Sequence, residues 1–160
     1  MENSLFRFAL SAYDKPMAMN VIPESSSPFG ERVRGRLTED PVIWLTTVGH
    51  DLTPQPNPVW FLWDGADSIL VYNRANAKRL ANLQRRPRVS LNFDSDGDGG
   101  DIVILTGDAE MVEGQPPVTE YPEYLEKYRE RIVQISGSPE AFAKNYSVSV
   151  RIRLSRVRGF

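Results

Sequence analysis

Prolines stand at positions 54, 56 and 58 of the run PQPNPVWFLW, residues 54–63, and that spacing limits where the run can sit. Alternate residues of an antiparallel strand offer their N–H groups to the same neighbour. Three prolines two apart therefore remove every donor from one side. The run can pair on its other side only, so whatever sheet the chain builds has an open edge here.

The other apolar runs supply the partners. VIWLTTV (42–48) is continuous and reads as a strand covered on both faces, with GHDLT turning the chain into the proline run. ILVYN (69–73), RVSLNF (88–93) entered through Pro87, and IVILTGDAEMV (102–112) follow, the last with Gly107 marking a bend or bulge. In SVSVRIRL (147–154), Val148, Val150, Ile152 and Leu154 alternate inward against Ser149, Arg151 and Arg153 outward. Helices are expected over residues 31–40 and 75–86, from about Pro122, and from Ser138-Pro139-Glu140. The third of these carries Tyr124, Tyr128, Ile132 and Ile135 on one stripe. Mainly β with short helices, the pattern describes six hairpin-joined strands in a small antiparallel barrel. Trp44, Trp60, Phe61 and Trp63 read as its core.

A chain of 160 residues that is 41% hydrophobic is long enough for one domain burying about 70% of its unfolded surface. Residues 1–30 lack periodicity and read as an N-terminal arm able to pack on a partner subunit, with the domain over 31–160. The apolar patch near the N-terminus is interrupted by Arg7 and followed by no small-residue cleavage site, which reads as neither signal peptide nor membrane span and points to the cytoplasm. With no cysteine and one histidine, the chain lacks thiolate nucleophiles, iron–sulfur ligands and a His-rich metal site. Catalysis on such a chain calls for a cofactor that carries the chemistry.

Residues 73–93, NRANAKRLANLQRRPRVSLNF, hold six cations and no acid in a protein of net charge −2. With Asn76 as N-cap, Ala77, Leu80, Leu83 and Gln84 share one helical face, and Lys78 and Arg79 fall in the first turn. That end of a helix already carries partial positive charge and unpaired N–H groups, so it favours acids. A bound phosphate would satisfy the N–H groups and both cations together, with Asn73 and Asn76 adding polar groups beside them. A solvated helix face is the plain alternative. Single-stranded nucleic acid ranks lower, because the chain is acidic overall and its aromatics read as core. Asp94, Asp96, Asp98 and Gly99 imitate the start of an EF-hand loop, but Leu105 stands where the closing glutamate belongs, and the segment reads as a hairpin loop. His50 lies in a turn with no nucleophile elbow in the sequence to serve.

The hairpin VIWLTTV…TPQPNPVWFLWDG followed by LVYNRANAKRLANLQRRPRVSLNF resembles the pyridoxamine 5'-phosphate oxidase-like split-barrel superfamily, in particular its coenzyme F-420 (deazaflavin)-dependent and FMN-binding branch. The likeness runs from about Arg32 to the C-terminus. It implies a six-stranded antiparallel split β-barrel that pairs as a homodimer, with F-420 or FMN in a groove between protomers. By the same resemblance Lys78 and Arg79 hold the cofactor phosphate, aided by Tyr72 and Asn73. Pro56, Asn57, Pro58 and Val59 line the ring, and Trp60 helps to shape its pocket. Ala77 replaces a phosphate-binding serine of the oxidases, and RIRLSRVRGF lacks their pyridoxamine-holding pattern, so pyridoxamine phosphate is not the expected substrate. The resemblance implies hydride transfer between reduced F-420 or FMN and a small unsaturated or aromatic substrate, without nucleic acid or membrane. A non-catalytic carrier or sensor of flavin, deazaflavin or haem is the alternative on the same fold.

Overall fold

The computed structural model describes residues 20–160. The elements follow in the order α1 (Pro28–Glu39), β1 (Ile43–Val48), β2 (Pro54–Val59), β3 (Leu62–Trp63), β4 (Ser68–Asn73), α2 (Lys78–Arg85), β5 (Arg88–Asn92), β6 (Val103–Met111), a 3₁₀ turn (Val118–Glu120), α3 (Pro122–Ser136), α4 (Pro139–Asn145) and β7 (Val148–Gly159). All strands pair antiparallel in one curled sheet of order β2-β1-β5-β6-β7-β4-β3.

Seven strands replace the expected six, because the proline run is two strands. Pro54–Val59 pairs with β1 at one edge of the sheet, while Leu62–Trp63 pairs with β4 at the other. The chain crosses between the edges at Trp60–Phe61. Pro54, Pro56 and Pro58 stand opposite Val48, Thr46 and Trp44, leaving the intervening residues to donate to β1. The other side of β2 is the open edge that the prolines require.

The Trp60–Phe61 corner is pinned from α3. The Phe61 N–H donates to the Tyr128 hydroxyl at 2.8 Å, and that hydroxyl lies 2.7 Å from the Phe61 carbonyl and 2.9 Å from that of Pro41. One side chain thus satisfies backbone that no strand reaches at the corner.

Two cores result. Alternate residues Ile69, Val71, Val150 and Ile152 join Leu45, Leu91 and Leu105 inside the curl. Leu70 and Tyr72 point the other way, beneath α3 and α4, where they meet Val118, Tyr124, Tyr128, Ile132 and Phe142. Every residue of β4 is therefore buried. The helical cover also buries Ser149, which the alternation places outward; its hydroxyl donates to the Val112 carbonyl. Ile135 belongs to the expected stripe of α3 but is 55% exposed. Phe61 is core, whereas Trp44, Trp60 and Trp63 are only partly buried.

Several boundaries also move. α1 starts at Pro28 behind an N-cap by Ser27, so the described end of the proposed arm already contributes to the domain, and Ile22 is fully buried. Residues 1–19 of that arm lie outside the described residues. Gly107 sits at a β-bulge, where a side chain would run into the Arg153 carbonyl. Among the described residues no helix is long and apolar enough to cross a membrane.

Candidate functional site

The basic helix begins one residue later than expected. Ala77, not Asn76, is the N-cap of α2, and it offers no side-chain bond to the first turn. No acid occupies that turn either, so the exposed end presents backbone N–H groups together with the exposed Lys78. On the inner side of α2, Leu80 and Leu83 are buried, and so is Asn82, whose amide donates to the Thr47 hydroxyl and to Oε1 of the Gln55 side chain. Gln84 is exposed instead. A polar residue takes the buried position because two acceptors on β1 and β2 await it.

Arg79 is turned inward. Its Nε donates to Oδ1 of Asn73 at 2.7 Å, while the Asn73 amide donates to the Val71 and Val148 carbonyls. Asn73 is 1% exposed, so it acts on the site only through the guanidinium that it orients. Burial works against the charge of Arg79 and lowers its pKa, with a smaller opposing effect from Tyr146. Among the described residues Arg79 has no carboxylate partner.

The guanidinium faces a cavity of about 240 Å³ lined by Pro58, Val59, Trp60, Tyr72, Arg79, Tyr124, Ile135, Phe142 and Tyr146. Five of the nine residues assigned in the sequence meet here: Pro58, Val59, Trp60, Tyr72 and Arg79. Pro56 and Asn57 lie further along the edge strand, Lys78 stands outside at the helix end, and Asn73 lies behind Arg79. The Tyr72 hydroxyl donates to the Pro116 carbonyl at 2.7 Å, so its ring, more than its hydroxyl, faces the cavity. Burial raises the pKa of that hydroxyl.

The cavity wall holds a column of nearly parallel rings. Trp60 stacks on Tyr128 at 4.8 Å and on Phe142 at 5.6 Å, and Phe142 stacks on Tyr146 at 4.3 Å. The Arg74 guanidinium lies 5.1 Å above the Tyr146 ring. Tyr124, Ile135, Phe142 and Tyr146 are absent from the sequence assignment. The stripe containing Tyr124 was visible in the sequence, but nothing local said that α3 and α4 would fold back over the edge at Trp60. An aromatic-walled cavity with one partly buried cation in its lining suits a planar ligand bearing an anion.

Of the remaining cations, Arg86 donates to the Gly49 carbonyl and Arg88 pairs with Asp108 at 2.9 Å. His50 is exposed at the β1–β2 turn and does not line the cavity. In the acidic loop, Oδ1 of Asp96 accepts from the N–H groups of Asp98 and Gly100, while Arg36 bridges Asp40 and Asp101.

The model of the pyridoxamine 5'-phosphate oxidase family matches residues 29–159. The chain belongs to that family. Solved structures share the split-barrel fold: an F420 reductase at 23% identity and TM-score 0.61, covering 78% of this chain and 94% of the other; a conserved hypothetical protein from Mycobacterium tuberculosis at 21% and 0.58, covering 88% and 86%; and the heme storage protein HutZ from Vibrio cholerae at 14% and 0.57, covering 81% and 92%.

Proposed function

We propose that this chain is a homodimeric oxidoreductase that binds F-420 or FMN and passes a hydride between the reduced ring and a small unsaturated or aromatic substrate. The observation that carries the reading is Arg79: a partly buried cation, held by Asn73 and lacking a carboxylate partner among the described residues, in the lining of an aromatic-walled cavity. The donor set fits a phosphate, since the first turn of α2 adds unpaired N–H groups and Lys78 to that guanidinium. F-420 or FMN, when bound, supplies the hydride. The chain's own part is to bind and orient. Lys78 and Arg79 hold the anion, Asn73 fixes Arg79, and Pro56, Asn57, Pro58 and Val59 offer the backbone of an edge strand to a ring. Trp60, Phe142 and Tyr146 exclude water from its face.

A second copy completes the site in this reading. A cavity of about 240 Å³ is smaller than the range of about 300–1,000 Å³ usual for ligand sites, and it adjoins an unpaired strand edge that a partner would cover. The likeness to an F420 reductase supports the deazaflavin; the family as a whole supports a flavin.

The likeness to a heme storage protein supports the alternative of a carrier or sensor. Against haem, no histidine lines this cavity. Steady-state oxidation of reduced F-420 and reduced FMN, with unsaturated and nitroaromatic acceptors, separates the readings. Turnover that Arg79→Ala suppresses supports the enzyme; saturable binding with no turnover supports the carrier.

A further inference from the structure

Lys127 of α3 is partly buried, and among the described residues no carboxylate lies within ion-pair distance of it. Its Nζ sits 3.8 Å over the Phe61 ring and 5.6 Å from the centre of the Tyr128 ring, and it donates one long hydrogen bond, 3.4 Å, to the Leu37 carbonyl near the end of α1. Ring and carbonyl favour the ammonium, but neither carries a full charge. Burial works against that charge, and the pKa falls from 10.5 to about 8, with Asp40 opposing the fall in part. A share of the amine is therefore neutral and nucleophilic near neutral pH, where a solvated lysine is almost wholly protonated. The side chain also lines a surface cavity of about 710 Å³ between the end of α1 and the start of α3, whose walls include Glu39, Leu62, Pro122, Glu123 and Glu126.

We propose that Lys127 is a site of covalent modification by small neutral aldehydes. The amine nitrogen bonds to the carbonyl carbon, both amine protons pass to the carbonyl oxygen, and that oxygen leaves as water. The product is an imine, formed without any change of oxidation state. The apolar part of the aldehyde rests on Leu62 and Pro122. The charges of the wall select the electrophile. Glu39, Glu123 and Glu126 are exposed carboxylates; solvent weakens their field, yet together they disfavour anionic reagents such as acyl phosphates. They equally disfavour a carbamate, the product with carbon dioxide, which would add another negative charge. An imine nitrogen still takes up a proton, so it suits the same walls. Asp40 adds to the negative field, while Glu130 and Arg131, a turn further along α3, are of opposite sign.

A lysine that only clamps α3 to the end of α1 has no such reactivity, and the test separates the two. The unmutated full chain is treated at pH 7 with propanal and sodium cyanoborohydride, which reduces the imine to a stable secondary amine, and peptide mass spectrometry compares Lys127 with the exposed Lys78 and Lys144. Propanal is expected to label Lys127 at least tenfold faster than either. With glyoxylate, an anionic aldehyde, the double variant Glu123→Gln/Glu126→Gln is expected to raise labelling of Lys127 at least twofold more than it does with propanal. Labelling of Lys127 by propanal no faster than that of Lys78 and Lys144, or a double variant that treats the two aldehydes alike, would overturn the proposal. The first readout uses the unmutated protein and needs no cofactor, so it stands apart from the outcome at Arg79.

Discussion

Lys78 and Arg79 are neighbours in sequence and perform different physical work. On the proposed reading, Arg79→Ala is expected to remove charge-assisted hydrogen bonds to a phosphate worth about 1.5–3 kcal/mol and so to weaken cofactor affinity roughly tenfold to a hundredfold. Relief at the helix N-terminus alone would favour the unliganded variant by about 0.3–1 kcal/mol. However, the buried Oδ1 of Asn73 loses its donor, at about 1–3 kcal/mol, so Arg79→Ala is expected to be less stable without cofactor. Lys78→Ala breaks no such bond and is expected to hold or gain about 0.3–1 kcal/mol. Denaturant titration of both variants checks the contrast; equal stability changes would mean that the Asn73–Arg79 bond contributes nothing. Lys127 adds a pH dependence. Its Nζ lies 3.8 Å over the Phe61 ring, and burial lowers its pKa from 10.5 to about 8. Between those values the unfolded chain binds more protons than the folded one, so stability rises with pH from about 8 towards 10. Tyr124 and Tyr128 have raised pKa values, so above pH 10 the unfolded chain ionises first and stability falls. Unfolding free energies at pH 7.5, 9.5 and 11 test both limbs, and Lys127→Met is expected to flatten the first.

Among the elements, the corner between β2 and β3 decides the shape of the cavity, because Trp60 leaves the sheet there. Tyr128→Phe keeps the ring stacked on Trp60 but leaves the Phe61 N–H without its acceptor. The expected loss is about 1–3 kcal/mol, measured by urea unfolding; a loss under about 0.5 kcal/mol would show that the corner holds without the hydroxyl. The edge strand was legible because three prolines leave no other choice, and β4 was legible because its apolar run is covered on both faces. The corner was not. PQPNPVWFLW is unbroken by glycine, and only pairing with β4 on the far side of the sheet reveals that Leu62 begins another strand. The basic helix was visible by its cations, yet Asn82 on its buried face depends on acceptors from β1 and β2. Likewise Arg79 was marked by its unusual helix end, whereas Phe142 and Tyr146 join the site through the packing of α4, which no local pattern encodes.

For the molecule as a whole, the open edge of β2 and the small cavity beside it are what the proposed pairing of two protomers would cover. Sedimentation equilibrium at micromolar concentration is expected to give a dimer; a monomer that still binds cofactor would remove the second copy from the site. Binding itself is the central claim. The direct measurement is a fluorescence titration of the purified protein with F-420 and with FMN, run in parallel on Lys78→Ala and Arg79→Ala. Saturable binding of at least one cofactor is predicted, weakened roughly tenfold to a hundredfold by Arg79→Ala. Failure of both to bind the folded protein, or affinities unchanged in a folded Arg79→Ala variant, would contradict it.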